Sequence, residues 1–529
     1  MNRKRIKRII IGILLVYVVL LLLLFLTEGL AAKDEGTIHS LGDAAWYLLA
    51  TLTTVGYGDM TPVTGVGKVI GAVIMISSAG VLTFLLGLLF SLFFGRLLPR
   101  FTLWRFRHRA WYIFSCINKR TVFFAEQLAA EEPEAVFVFC NSYESLSEEY
   151  FLVKGRFVLI DAQVLPVVQR QKKRAACRVF YMDDNGWDNY AKGIELLNKC
   201  GKGDIKVCCE SEHAPEHVAE NMVIFNRPDN TARSYWLDNP PLDDERIFLI
   251  AGDGRNAKRL LERALLINVL PDGNPFEYHV FGNWESFKND HYAMEQALSI
   301  DTVSEERDSV IFEKSAWNAS AELLMKADRI IFCNDDHGEN LKAADELLRY
   351  FPVKAKVDVC ATAEGDMRVR SFGEDKRVLS PGMVLKERLN SIAIMLNELY
   401  GSKTGGGRAF GELSEFHRQS NIAAADHLMV KLRLLLKDEK IDTVTSDACE
   451  RAFKIYSSFD EAQIDACRRL EHKRWMRFHI MNNWEYSAQR DNALRHHTLI
   501  VPYEKLTLKE KELDDSAWEV LGEVSSLWQ

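Results

Sequence analysis

Two long uncharged runs restrict this 529-residue sequence more than any other feature. Residues 9–26 read IIIGILLVYVVLLLLLFL, and a second, mostly apolar run extends from Val69 to Gly95. A hydrocarbon core about 30 Å thick is crossed by about 20 apolar residues in a helix, which satisfies its own backbone polar groups. Each run is therefore expected to span a membrane. A cleaved secretory signal is the competing reading of the first run, with Gly29-Leu30-Ala31-Ala32 as a loose cleavage site. The second run argues against cleavage, since the segment between the two has a role only if both are kept.

Charge sets the expected orientation. Arg3, Lys4, Arg5, Lys7 and Arg8 precede the first run, and Arg96, Arg100, Arg105, Arg107 and Arg109 follow the second, while the segment between offers only Lys33 and Lys68. The positive-inside rule puts both termini in the cytoplasm of a cell-membrane, multi-pass chain. Residues 1–110 hold 12 Lys+Arg against 5 Asp+Glu, and the remainder 54 against 69. The soluble part is thus acidic, which disfavours nucleic acid as a partner. All ten cysteines, Cys116 to Cys467, follow the second run and face a reducing compartment; their spacing offers no zinc or disulfide framework.

Between the runs, Leu41 to Leu52 reads as a short helix with Trp46 and Tyr47 midway, leading into Thr53-Thr54-Val55-Gly56-Tyr57-Gly58-Asp59. A dehydrated potassium ion needs oxygen ligands on all sides, and backbone carbonyls supply them if successive residues point them one way. Gly56 and Gly58 tolerate positive φ, so their alternation with Val55 and Tyr57 allows a ladder of carbonyls, with the Thr54 hydroxyl as the innermost ring. Alone, Gly-Tyr-Gly could be a glycine-rich turn. Set between two spans, after a short helix and before Thr61-Pro62, it resembles the filter of the two-span potassium channels over residues 9–98. That resemblance implies a homotetramer in a lipid bilayer, potassium on the oxygens of Thr54, Val55, Gly56 and Tyr57, a pore helix whose C-terminal dipole end favours a cation, and a gate in the second spans. The family's hinge glycine would fall at Ser78, with Gly80 two residues on; Gly71 and Gly87 are further glycines that could equally be packing points.

No Arg-periodic span precedes the pore, so control of the gate is expected in the cytoplasm. After Pro99 short apolar strands alternate with amphipathic helices, the pattern of a parallel sheet covered on both faces. Strands are predicted at Trp111–Ser115, Ala135–Cys140, Arg156–Ile160, Arg178–Met182 and Ile205–Cys209, then at Arg246–Ala251, Tyr278–Phe281, Arg329–Cys333 and Val357–Ala361. These make two Rossmann-like units, and the order resembles channels with tandem RCK domains, which implies a cytosolic gating ring that binds a small-molecule ligand. In the first unit the three phosphate-loop glycines are replaced by Cys116, Asn118 and Thr121. In the second, Gly252-Asp253-Gly254-Arg255-Asn256-Ala257 fits G-x-G-x-x-A between a strand and a helix, making Gly252, Asp253, Gly254, Arg255 and Ala257 candidates for a nucleotide effector. A tight turn without ligand is the alternative. The acid expected at the end of the next strand is not obvious; Phe281-Gly282-Asn283 ends it, with Glu285 shortly after.

Beyond Lys403-Thr404-Gly405-Gly406-Gly407 helical spacing dominates, in Ala423–Leu436, Ala448–Phe459 and Ile464–Met481. Glu471-His472-Lys473-Arg474-Trp475, Asn483-Trp484-Glu485-Tyr486, Arg490-Asp491, His497 and Leu499–Glu504 are similar to the RyR domain, and Arg418–Asn421 with Ala425-Asp426-His427 to the helical segment before it. His472, Arg474, Trp475, Trp484, Tyr486, Arg490 and Tyr503 could line an aromatic and cationic ligand pocket; they could also be core anchors and helix caps.

The expected architecture is an α-helical two-span pore domain over residues 1–100, Rossmann-like α/β units over 101–240 and 241–402, and an all-α module over 408–529. The expected function is a ligand-gated potassium channel rather than an enzyme. A membrane-anchored nucleotide-binding subunit of a potassium transporter is the alternative, and a tethered NAD-dependent enzyme a third reading. Calcium is a lesser effector candidate, through Asp183-Asp184 and Asp335-Asp336, neither of which has EF-hand spacing.

Overall fold

The computed structural model describes residues 3–524 apart from 31–35, 94–96, 141–155, 161, 172–173, 202, 213–214, 217, 220, 242–243, 272, 274, 300–306, 362–367, 406, 438–440 and 442–443. Ala31, Ala32, Lys33, Gly95, Arg96 and Gly406, invoked above, lie outside the described residues. The chain divides into two compact units, Met1–Phe106 with Leu159–Asp161, and Arg107–Val158 with Ala162–Gln529.

In the first unit, α1 (Arg3–Leu24) runs on through a wider π turn at Phe25–Leu30, α2 covers Leu41–Leu52, and α3 covers Gly65–Leu92. The segments Ile10–Leu30 and Gly65–Phe90 are long and apolar enough to cross a membrane. Ser40 caps α2 and Asp43 returns the bond, a reciprocal box that fixes where the helix begins. Leu24, Ile38, Ala44, Tyr47, Ile70 and Ile74 form the small interior, and the Tyr17 hydroxyl meets Ser77 Oγ at 2.8 Å. Ile76, Val69, Val66, Leu89 and Phe90 on α3 are left exposed, as suits a surface meant for lipid or for other copies rather than water.

The second unit holds two six-stranded sheets of one topology. Its first sheet comprises β1 (Trp111–Phe114), β2 (Val136–Cys140), β3 (Phe157–Ile160), β4 (Cys177–Tyr181), β5 (Ile205–Glu210) and β6 (Met222–Phe225), in spatial order 3-2-1-4-5-6. Helix α4 (Lys119–Glu131) follows β1, and α5 (Arg227–Asp238) leaves β6. Its second sheet comprises β7 (Ile247–Ala251), β8 (Glu277–Phe281), β9 (Ser309–Glu313), β10 (Arg329–Phe332), β11 (Lys356–Cys360) and β12 (Val369–Phe372), and repeats that order as 9-8-7-10-11-12. Each pair in the second sheet is parallel. This is the doubly wound order in which loops at the carboxyl ends of the central strands converge on a crevice. Helix α6 (Arg255–Ile267) follows β7, and α7 (His337–Tyr350) follows β10.

Nine strands match the sequence reading within a residue or so at each end. β6, β9 and β12 were not anticipated: β9 and β12 are short edge strands that carry charge, and β6 is an apolar run of only four residues. In β12, Arg370 binds the buried Asp358 of β11 through two contacts of 2.7 Å, a pairing no local pattern announces.

The C-terminal helices are α8 (Glu415–Asp426), α9 (Leu428–Leu435), α10 (Ser446–Tyr456), α11 (Glu461–Met481) and α12 (Ser516–Val524). The predicted helix over Ala423–Leu436 is two helices, broken at His427. Gly405 takes a left-handed conformation, φ 73°, at the C-cap of the helix Ser391–Thr404. The glycine run is thus a helix stop, and no gap in packing follows it. One hydrophobic core joins Trp236 of α5, and Phe248, Leu260 and Tyr278 of the second Rossmann-like unit, to Ala423, Met476, Phe478, Ile480 and Trp484. Buried ion pairs cross the same junction: Arg233 with Asp426 at 2.6 Å, and Arg477 with Asp308 at 2.6 Å.

Candidate functional site

The segment predicted to carry the ion is built from the end of α2 upward. Thr53 caps the helix, and the amides of Val55 and Gly56 both turn back to the Ala50 carbonyl, at 3.0 and 3.1 Å. Beyond that point φ is positive at every second residue: Thr54 (60°), Gly56 (56°) and Gly58 (74°). Alternation of left-handed and right-handed backbone turns successive carbonyls to one side, which an L-residue resists and glycine does not. Thr54 adopts it without being glycine, a strained conformation of the kind held at functional sites. Trp46 of α2 braces the strand, its ring stacked on Tyr57 at 5.8 Å and its Nε1–H donated to Asp59 at 3.0 Å.

A second brace was missed in the sequence. Glu28, in the π turn after α1, is fully buried; its carboxylate accepts the amides of Val63 and Thr64, each at 3.0 Å, and the Thr64 hydroxyl at 2.5 Å. It thereby ties the first span to the start of α3. A Cβ on Gly67 would lie 1.9 Å from a Glu28 oxygen, so glycine makes room for the carboxylate. A lone acid at the end of an apolar run was the available signal. Lower on α3, Ser78 is buried and its hydroxyl returns to the Met75 carbonyl at 2.6 Å, a back-bond that favours bending. Gly80 has open space around it, whereas a Cβ on Gly71 would strike the Tyr47 hydroxyl at 2.7 Å, so Gly71 is a packing point.

Both phosphate loops are filled from within. In the first unit Asn118 caps α4 by accepting the Thr121 amide, and Thr121 accepts the Asn118 amide, each at 2.9 Å. In the second, Asp335 enters from the carboxyl end of β10. Its carboxylate accepts the amides of Arg255 and Asn256 at 3.2 and 3.1 Å, and lies 2.6 Å from where a Cβ on Gly254 would stand. Gly252, at φ 140°, would place a Cβ 2.8 Å from the Cys333 carbonyl. The glycines therefore allow close approach, but of the chain's own groups. Burial opposes ionisation of Asp335, yet the Asn256 and Arg255 amides and the Arg255 guanidinium outweigh it and hold its carboxyl below the usual range. Arg255 also reaches Glu212 of the first unit at 2.7 Å; Asp253 turns away to accept the Asn283 amide; Ala257 is buried in the core. The lesser calcium candidates are engaged too: Asp184 with Arg120, Asp183 near Lys192, and Asp336 as the cap of α7. Among the described residues there is no group of three or more His, Cys, Asp or Glu placed to hold a metal.

Of the seven C-terminal pocket candidates, Tyr503, His472, Trp475 and Trp484 are joined in one run of ring contacts through His479, and Arg474, Tyr486 and Arg490 stand apart from it. Trp475 lies between His472, stacked at 5.8 Å, and His479, 3.9 Å away. Trp484 is buried and stacks on Phe416 at 4.7 Å. Tyr503 is fully buried, donates to Asp465 at 2.7 Å, and is flanked by Arg469 and Lys511. Arg474 is turned instead into a buried cluster with Glu471 and Lys431. Burial opposes ionisation of Glu471, but Arg474 and Lys431 hold it down to about 2. Tyr486 is exposed on a two-residue strand paired with His496–His497, and Arg490 lies on the exposed loop beyond it. Burial, with Arg490, His417 and His472 nearby, lowers His497 to about 4, and burial lowers His479 well below the usual value, so these two imidazoles are neutral.

A cleft of about 900 Å³ opens between the first Rossmann-like unit, α6 and the C-terminal helices. Arg233, Arg263, Arg418, Gln419 and Phe478 are among its walls. Arg263 is buried, pairs with Asp229 at 2.6 Å and reaches Gln419 at 2.7 Å.

Two apolar spans tied together by Glu28, a short helix between them and an alternating-φ segment braced by Trp46 are the parts of a membrane pore domain. The comparisons agree. The Ion channel family matches residues 9–95, and the RyR domain family matches residues 458–524. The chain therefore carries an ion-channel domain near its N-terminus and a RyR domain near its C-terminus. A voltage-gated potassium channel of Aeropyrum pernix is 46% identical over 59 residues, 11% of this chain and 20% of that protein. Potassium voltage-gated channel subfamily A member 4 of Homo sapiens is 43% identical over 76 residues, 14% of this chain and 11% of that one. The chain thus spans a fifth or less of these two relatives. Among solved structures, GsuK bound to ADP shares 15% identity at a TM-score of 0.34, covering 72% of this chain and 99% of that one.

Proposed function

We propose that this chain is the subunit of a homotetrameric, potassium-selective channel, with both termini cytoplasmic and a gate controlled by a small cytosolic effector. The observation that carries the reading is the alternation of positive φ at Thr54, Gly56 and Gly58, at the end of a helix that lies between two spans. Four copies would set rings of carbonyls from Thr54 to Tyr57 around potassium as it moves through, each replacing the water the ion sheds. The exposed Val55 and Tyr57 side chains would meet neighbouring copies. Bending near Ser78 and Gly80 would open the second spans.

The effector belongs to residues 101–529. The shared core and the Arg477–Asp308 pair support a rigid link between the RyR domain and the second Rossmann-like unit, so a ligand bound to either would act on both. Its chemistry is read as anionic and nucleotide-like, held through the amides at the start of α6 once Asp335 is displaced, with the ring cluster around Trp475 as a second candidate site. Ligand changes the gate only by binding the open and closed assemblies unequally.

Flux from liposomes containing only this protein tests the first claim: potassium passes, sodium does not, and Gly56→Ala abolishes the difference. Equal passage of both ions by the unaltered chain would overturn potassium selectivity.

A further inference from the structure

The carboxyl ends of β10 and β11 carry two thiols that the proposed function leaves unused. These strands are parallel with Phe332 opposite Val359, so the next residues, Cys333 and Cys360, stand side by side. Adjacent strands lie about 4.8 Å apart, within the Cα separation of about 4.4–6.8 Å that a disulfide spans. Both thiols belong to one buried core, and His337 in the first turn of α7 lies near enough to act on Cys360. Both cysteines are buried while His337 is half-buried, which leaves the imidazole as the side of the pair nearest solvent.

The pair is chemically unequal. Its neighbour Cys333 pulls the Cys360 thiol down, against burial, and His337 adds to it. Burial pushes Cys333 well up. Burial likewise pushes Cys140, Cys177, Cys208 and Cys449 up to about 12, as expected of inert core thiols.

We infer that Cys333 and Cys360 form a reversible intrachain disulfide, with Cys360 as the attacking thiolate, Cys333 as the resolving thiol and a hydroperoxide as the oxidant. The Cys360 sulfur attacks one peroxide oxygen; an S–O bond forms, the O–O bond breaks, and the departing alkoxide or hydroxide takes a proton from solvent. Cys333 sulfur then attacks the resulting sulfenic acid at sulfur. An S–S bond forms, the S–O bond breaks, and hydroxide leaves as water with the Cys333 proton. Two thiols are oxidised, one peroxide is reduced, and a cytosolic thiol reverses the change. The bond acts where the second phosphate loop is closed: the Cys333 carbonyl faces Gly252, the Cys333 amide bonds the Ala251 carbonyl at 2.9 Å, and Asp335 lies two residues on.

Reduced full-length protein in lipid nanodiscs is exposed to graded hydrogen peroxide, alkylated, digested and mapped by mass spectrometry. The expected result is a Cys333–Cys360 linked peptide, lighter by two hydrogens, at the lowest dose that changes any cysteine, and its loss on adding dithiothreitol. Cys333→Ser leaves a sulfenic acid on Cys360 that dimedone traps. His337→Ala slows alkylation of Cys360 about tenfold per unit rise of the thiol pKa. Oxidation of other cysteines before this pair, or alkylation of Cys360 no faster than Cys140 in the unaltered protein, overturns the assignment.

Discussion

Replacing Asp335 by Asn removes a charge from the start of α6 while nearly preserving shape. The carboxylate accepts two backbone amides and the Arg255 Nε at 3.3 Å; the amide side chain has one oxygen and must drop at least one partner. A helix cap of this kind contributes about 0.5–2 kcal/mol, and the exposed charge is screened, so about 1 kcal/mol is the appropriate figure. The same quantity is what an incoming phosphate must overcome to take the carboxylate's place. Since 1.4 kcal/mol is about tenfold in affinity, Asp335→Asn should bind adenine nucleotides about fivefold more tightly, and Asp335→Ala more tightly again. Titration calorimetry of full-length protein in nanodiscs with ADP and with NAD reads this directly, and Asp336→Asn, which touches only the cap of α7, should change little. Equal or weaker binding in both Asp335 variants would refute the view that this carboxylate holds the phosphate position. The variant also alters acid stability. Because the Asp335 carboxyl is lowered in the folded chain, its contribution is present above the ordinary value of 3.8 and is lost as pH falls through the folded value; the Asn variant lacks that loss.

Other expectations are simpler. Glu28→Ala leaves the Val63 and Thr64 amides without their buried acceptor, at about 1–3 kcal/mol for each, so thermal unfolding of the pore unit should come at lower temperature and single-channel openings should shorten. Asp426→Ala strands Arg233 of α5 in the core at about 3–5 kcal/mol, and limited proteolysis should then cut within both the C-terminal helices and α5 rather than release one intact. Acid should destabilise the C-terminal helices before carboxylates titrate. Burial, with Lys431 nearby, lowers His427 to about 3, and burial lowers His497 to about 4, so the unfolded chain binds more protons below 6.5 and stability falls as pH drops from there. Hydrogen exchange at graded pH measures it; protection unchanged between pH 6.5 and 4 would contradict neutral buried imidazoles.

Much of the fold was legible because apolar spacing is a direct consequence of burial. Runs of about twenty apolar residues, parallel strands buried on both faces and amphipathic helices all leave periodic traces along the chain. The edge strands β9 and β12 leave weaker ones, since Arg370 and Glu313 answer partners on neighbouring strands. The candidate sites divide the same way. The proposed filter is local, five consecutive residues whose conformation depends on their own backbones and the helix before them. The phosphate loop only looked local: its glycines were visible, but the carboxylate that occupies it comes from a residue 80 positions away. Likewise Arg474 and Trp475 are neighbours in sequence and face different cores, because adjacent positions on a helix point about 100° apart.

By itself, the sequence determined the two apolar runs, the alternating backbone at Thr54, Gly56 and Gly58 and the alternation of strands and helices behind it, since each depends on hydrophobic period or on which residues tolerate positive φ. Tertiary structure alone decided that Glu28 ties the first span to the second, that Asp335 fills the nucleotide-like loop, that Cys333 lies beside Cys360, and that the C-terminal helices share a core with the second sheet. These depend on groups brought together across tens to hundreds of residues, where strand register and side-chain burial, and no spacing along the chain, determine what touches what.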